Sequence, residues 1–172
     1  MVRKLLLCLT VLACMALGIF AAFYTRPLPL SGFFPGVDLA DCTEIRGYYT
    51  ADPKREDLAF SLTPDDPDFE PLRKLFASAT FRRSLLPAAG GQMHRWQEGD
   101  FRWTATLNFE EPVPLSDGSM ASGTLLRIDD FFGKITVHAD GNVWRCKAEP
   151  SAFRNAAAEH IRNHLNNLET EN

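Results

Sequence analysis

The spacing of hydrophobic positions divides the chain into three stretches. Leu5 to Tyr24 (LLLCLTVLACMALGIFAAFY) carries no charge. About 20 apolar residues in a helix match the thickness of a bilayer core, and a helix satisfies its own backbone where water is absent. Residues 25–36 (TRPLPLSGFFPG) hold three prolines and two glycines. They predict an extended spacer between the membrane and a domain. In residues 37–172 the apolar positions recur with periods of two and of 3.6, which marks strands and amphipathic helices.

Within that domain Cys42 to Thr50 predicts a first strand. Leu58 to Leu62 predicts a second, with Leu58, Phe60 and Leu62 on one face, and the charged turn Ala51 to Asp57 joins them. Asp66 as cap and Pro67 at the first helical position predict a helix ending near Ala79, with Phe69, Leu72, Leu75, Phe76 and Ala79 on its apolar face. Thr80 to Leu86 reads as a strand, and Pro87 to Gly91 as a break. Gln92 to Phe109 reads as a hairpin turning at Glu98-Gly99-Asp100. Its second arm alternates Phe101, Trp103, Ala105, Leu107 and Phe109 with polar residues, the strongest strand pattern in the chain. Glu110 to Gly123 is a polar loop. Thr124 to Ile128, Ile135 to Ala139 and Asn142 to Lys147 predict three more strands, with Asp129 to Lys134 and Asp140-Gly141 as turns. Ser151 caps a last helix whose apolar line is Phe153, Ala157, Ile161, Leu165 and Leu168, and Glu169 to Asn172 should fray. Hairpin-linked strands with segregated helices predict an α+β domain: a mainly antiparallel sheet with two helices, preceded by one N-terminal transmembrane helix.

Charge places this domain relative to the membrane. Arg3 and Lys4 precede the apolar stretch and should stay in the cytoplasm, which sends the C-terminal domain across. An uncleaved signal anchor gives a single-pass protein of the cell membrane. Two alternatives remain open. A cut after Ala16-Leu17-Gly18 would secrete the domain, and Val11-Leu12-Ala13-Cys14 as a lipobox would attach lipid to Cys14. Arg3 and Lys4 are the only charges before Arg26, which leaves 16 basic against 22 acidic residues, a net of about −6. That balance argues against nucleic acid as a partner.

Export also bears on the cysteines. Cys42 and Cys146 are the two outside the apolar stretch, and an exported pair predicts a disulfide.

Chemistry is thin. His160 and His164 are four apart on the last helix, but no third ligand stands nearby, and surface histidines at that spacing explain them. Asp65, Asp66, Asp68 and Glu70 lack the glycine-centred loop of a calcium site, so helix capping explains them. Gly118-Ser119-Met120-Ala121-Ser122-Gly123 lacks the spacing of a serine elbow. No metal, cofactor or catalytic set is expected. Arg82, Arg83, Arg95, Trp96, Arg102 and Trp103 mix cations with indole rings. If their strands pair, they could share one face suited to an anionic or glycan ligand.

The run SLTPDDPDFEPLRKLFASATFRRSL, a strand leading to an acid-capped helix and a basic strand, resembles a pattern in small exported proteins of Gram-positive bacteria. GKITVHADGNVW before a closing helix fits the same pattern. The resemblance implies an anchored or lipid-modified surface protein and brings no catalytic residues.

The expected function is therefore a non-enzymatic binding or interaction module of the cell envelope, its ligand an envelope protein, a peptide or a glycan. The alternative is an extracytoplasmic enzyme whose site gathers Asp129, Asp130 and His138.

Overall fold

The computed structural model describes residues 2–32, 38–52, 54, 56–82, 95–109, 113–114, 120–121, 126–131, 134–139, 142–145 and 150–171. Helix α1 spans Val2–Tyr24. Its segment Leu6–Tyr24 is long and apolar enough to cross a membrane, and none of it is buried against the domain. By length and composition it suits a membrane anchor or an export signal.

Six strands form one antiparallel sheet: β1 (Cys42–Thr50), β2 (Leu58–Leu62), β3 (Arg102–Phe109), β4 (Leu126–Phe131), β5 (Lys134–Ala139) and β6 (Asn142–Arg145). Their order across the sheet is β6-β5-β4-β3-β1-β2. Strands β3 to β6 form a meander, and the β1–β2 hairpin adds to its β3 side. Helices α2 (Phe69–Ser78) and α3 (Pro150–Glu171) complete the α+β domain.

Alternation decides which face is covered. Ile45, Trp103, Ala105, Leu107, Ile128 and Val137 lie on one face and are fully buried. Both helices pack there through Phe69, Leu72 and Phe76 of α2 and Phe153, Ala157 and Ile161 of α3. At the centre Trp103 meets Phe76 and Phe153, each with ring centroids 6.1 Å away, and Phe81 meets Phe153 edge-on at 5.7 Å. Aromatic pairs in this geometry add about 0.5–1.5 kcal/mol each beyond their buried area.

Several sequence expectations change. Part of the expected 25–36 spacer packs with the domain: Leu28–Pro29 pairs antiparallel with Thr80–Phe81, and Leu30 is buried in the core, while 33–36 lie outside the described residues. The strand at Thr80 is two residues long among the described residues, and 83–94 lie outside them. Helix α2 begins at Phe69 rather than Pro67. Asp66 instead accepts from the backbone and hydroxyl of Thr63 in the preceding turn, while Asp68, in the cap position, makes no capping bond. Strand β4 runs on through Asp129, Asp130 and Phe131, where a turn was expected. Acids look like turn residues by composition, yet Asp130 takes an inward position because Arg154 meets it there at 2.7 Å. Part of the 110–123 loop is ordered as a small ladder, Val113–Pro114 with Met120–Ala121.

The expected disulfide is the remaining correction. Cys42 is a free, buried thiol, and no disulfide occurs among the described residues. Cys146 lies outside them. Its chain neighbour Arg145 ends β6, four strands across the sheet from β1. Burial pushes the Cys42 thiol up to about 11, so little thiolate exists at neutral pH. Iodoacetamide at pH 8 should leave Cys42 unmodified in the native protein and alkylate it once urea unfolds the domain. Peptide mass mapping reads this directly, and a Cys42–Cys146 crosslinked peptide would refute it.

Candidate functional site

The side chains that alternate away from the core form the second face of the sheet, bordered by Leu168 near the end of α3. Register sets its rows. Tyr48, Thr104, Asp129 and Thr136 lie across β1, β3, β4 and β5 in one row, and Arg46, Thr106, Arg127 and His138 in the next. All of these but His138, together with Thr50, Asp57, Arg102, Phe131 and Leu168, bound a cleft of about 970 Å³, at the upper end of ordinary ligand pockets.

The charges here are neutralised in pairs. Arg102 donates to both oxygens of Asp57, at 3.1 and 3.3 Å, and its Nε donates to the Thr50 hydroxyl at 3.2 Å. Thr50 in turn donates to Asp57. These bonds, that of Thr50 first and then those of Arg102, hold the Asp57 carboxyl below its ordinary range. Arg127 donates to Asp129 at 2.8 Å, and His138 Nε2 meets the other oxygen of that carboxylate at 3.0 Å. At the far end Ser61 donates to Glu44 at 2.6 Å and Asn108 donates to its second oxygen. Ser61 is the stronger cause of a lowered Glu44 pKa. Tyr48 and Phe131 stand about half exposed among these groups. The face thus offers paired donors and acceptors, a set of threonine hydroxyls and two aromatic rings.

The residues singled out from sequence do not share this face. Arg102 is on it. Trp103, the next residue in the strand, points the opposite way and is buried, its Nε1 donating to the Arg154 carbonyl at 3.3 Å. Successive side chains in a strand alternate, so the two could not serve one surface. Arg82 is exposed beyond the Leu28–Phe81 ladder, and Arg95 and Trp96 precede the turn at Gly99. Arg83 lies outside the described residues. Reading the sequence for Arg and Trp missed Arg46, Tyr48, Thr104, Thr106, Arg127 and Thr136. The signal that finds them is alternation itself, taken in β1, β3, β4 and β5 together and read for the polar phase.

Asp129 and Asp130 part for the same reason. Asp129 joins His138 on the open face. Asp130 faces the core, held by Arg154, whose guanidinium also donates to the Phe101 carbonyl and sits 3.6 Å over the Phe101 ring. The two acids do not converge on His138.

A second polar cluster joins the helices. His160 Nδ1 meets Asp68 at 3.0 Å, and His164 Nδ1 meets Asp66 at 3.4 Å. The histidines of α3 and the acids before α2, separate in the sequence, thus make one interhelical contact. Among the described residues no three His, Cys, Asp or Glu side chains are arranged to hold a metal.

No family model, curated protein or solved structure matches the chain.

Proposed function

We propose that this protein is a non-enzymatic binding module, anchored by α1 in the cell membrane with its α+β domain outside the cytoplasm. Its open sheet face would take a neutral, hydroxyl-rich ligand such as a glycan of the cell envelope. Arg3 and Lys4 before the apolar helix support the orientation. The observation that carries the ligand class is charge pairing in the cleft. Arg102 is matched by Asp57 and Arg127 by Asp129, so an anion would have to displace a carboxylate already in place. A polyol needs donors and acceptors side by side, which paired Arg and Asp groups and threonine hydroxyls supply. The ring of Tyr48 offers a face for the C–H side of a sugar.

The test is calorimetry on the full-length protein in nanodiscs. A panel of neutral oligosaccharides is titrated beside carboxylated ones of equal length. Neutral chains should bind, and Tyr48→Ala should weaken them about tenfold, the ordinary cost of removing an aromatic anchor. Tighter binding of the carboxylated chains, binding of peptides alone, or no binding to any of them rejects this ligand class.

The Asp129–His138 pair supports a second reading, an enzyme using His138 as a base. It would predict slow cleavage of a bound oligosaccharide that His138→Ala abolishes while binding persists.

A further inference from the structure

The connection between α1 and the domain is short. Leu6–Tyr24 has 19 residues, about 29 Å of helix, which fills a bilayer core of about 30 Å. Tyr24 then stands at the boundary with the headgroups, where aromatic residues favour the interface. Only Thr25, Arg26 and Pro27 separate it from Leu28, which already pairs with Phe81. Part of this connection is still helical. Thr25 N donates to the Ala21 carbonyl at 2.9 Å, and Arg26 N to that of Phe23 at 3.4 Å. Even fully extended, Tyr24 to Leu28 reaches about 13 Å, against a headgroup layer of roughly 5–7 Å on each side.

The same end of the domain carries cations. Leu28 lies opposite Phe81, which brings Arg82 beside Pro27 at the end of the ladder nearest α1. Arg26 and Arg82 are both exposed. No hydrogen bond or ion pair engages either guanidinium among the described residues.

We infer that the Pro27–Leu28 and Phe81–Arg82 edge rests on the outer lipid headgroups, with Arg26 and Arg82 on their phosphates. The inference rests on the anchor reading above. It makes the membrane surface a partner of the domain and fixes which edge faces it. The short connection enforces proximity, and the two arginines add attraction that increases with anionic lipid.

Neutron reflectometry of the full-length protein tests it, in supported bilayers of phosphatidylcholine with and without phosphatidylglycerol. Domain density should begin at the headgroups with no intervening water layer. A flexible Gly/Ser insertion of about twelve residues between Pro27 and Leu28 frees roughly 20 Å. With phosphatidylglycerol present the inserted protein should stay at the surface, and adding Arg26→Glu and Arg82→Glu should lift its domain away. Circular dichroism checks that this variant is folded, and Arg26→Gln with Arg82→Gln serves if it is not. A water layer under the unmodified protein, or an insertion that lifts the domain with both arginines present, overturns the inference alone. Release of the chain by alkaline carbonate overturns the anchor reading and the inference together.

Discussion

Replacing Arg154 with alanine should destabilise the domain by about 3–5 kcal/mol, because it takes the Arg154 charge and hydrogen bond from a buried Asp130 carboxylate. The Asp130 side chain is fully buried and that of Arg154 is 17% exposed, with 2.7 Å between them. Arg154 does more than neutralise. Its guanidinium donates to the Phe101 carbonyl and covers the Phe101 ring, and its own carbonyl accepts from Trp103. The Arg154 side chain therefore joins the first turns of α3 to β4 and to Phe101 just before β3, and its backbone carbonyl adds Trp103 of β3. For a domain of this size the loss should lower the midpoint of thermal unfolding by roughly 10 °C or more. The double variant Asp130→Leu, Arg154→Met should be more stable than Arg154→Ala, since removing both charges also removes the desolvation cost. If Arg154→Ala unfolds within 1 kcal/mol of the parent in urea, about the noise of ordinary surface substitutions, the pair is not the fastening described here.

This pair also shows where sequence reading stops. The strands of the sheet were legible wherever apolar residues alternated, as in β3, because burial of one face imposes period two. Asp129 and Asp130 broke that pattern by composition, and the strand appeared to end. Nothing local says that Asp130 faces inward. The reason is Arg154, 24 positions later and on another element. The same limit explains Arg102 and Trp103. Their composition suggested one surface, while their adjacency in a strand required two. Leu28 to Leu30 differ from expectation for a related reason. Proline suggests an extended linker, and it gives no hint that the extended segment docks. The histidines of α3 and the acids before α2 carry no mutual signal in the sequence, since only the tertiary contact puts His160 beside Asp68. The open face was legible in principle. It needed the polar phase of four strands to be read as one surface.

Gly47→Ala should cost about 4 kcal/mol or more, in the range where a single substitution removes much of a domain's stability. The cause is space, not backbone conformation. Gly47 has no positive φ; among the described residues the glycine with that geometry is Gly99, at 84°. A Cβ on Gly47 would lie 1.7 Å from the Thr104 carbonyl oxygen and 2.7 Å from its carbon, with Phe60 Cζ at 3.0 Å. Backbone atoms cannot rotate aside, so β1 and β3 would have to separate. Gly47 sits mid-strand, paired with Phe60 of β2 and Ala105 of β3, so the displacement falls in the middle of the sheet and under the cleft. A glycine inside a strand pattern signals such close approach, and the sequence EIRGYYT carries that signal. Gly99→Ala is the informative control. It meets nothing within 4 Å, so it should cost only the strain of a left-handed alanine, about 1 kcal/mol. Urea unfolding followed by tryptophan fluorescence separates the two. A Gly47→Ala protein as stable as Gly99→Ala would mean that β1 and β3 do not approach as closely as Thr104 and Gly47 place them. The rows of the open face would then need a different spacing, and with them the geometry proposed for its ligand.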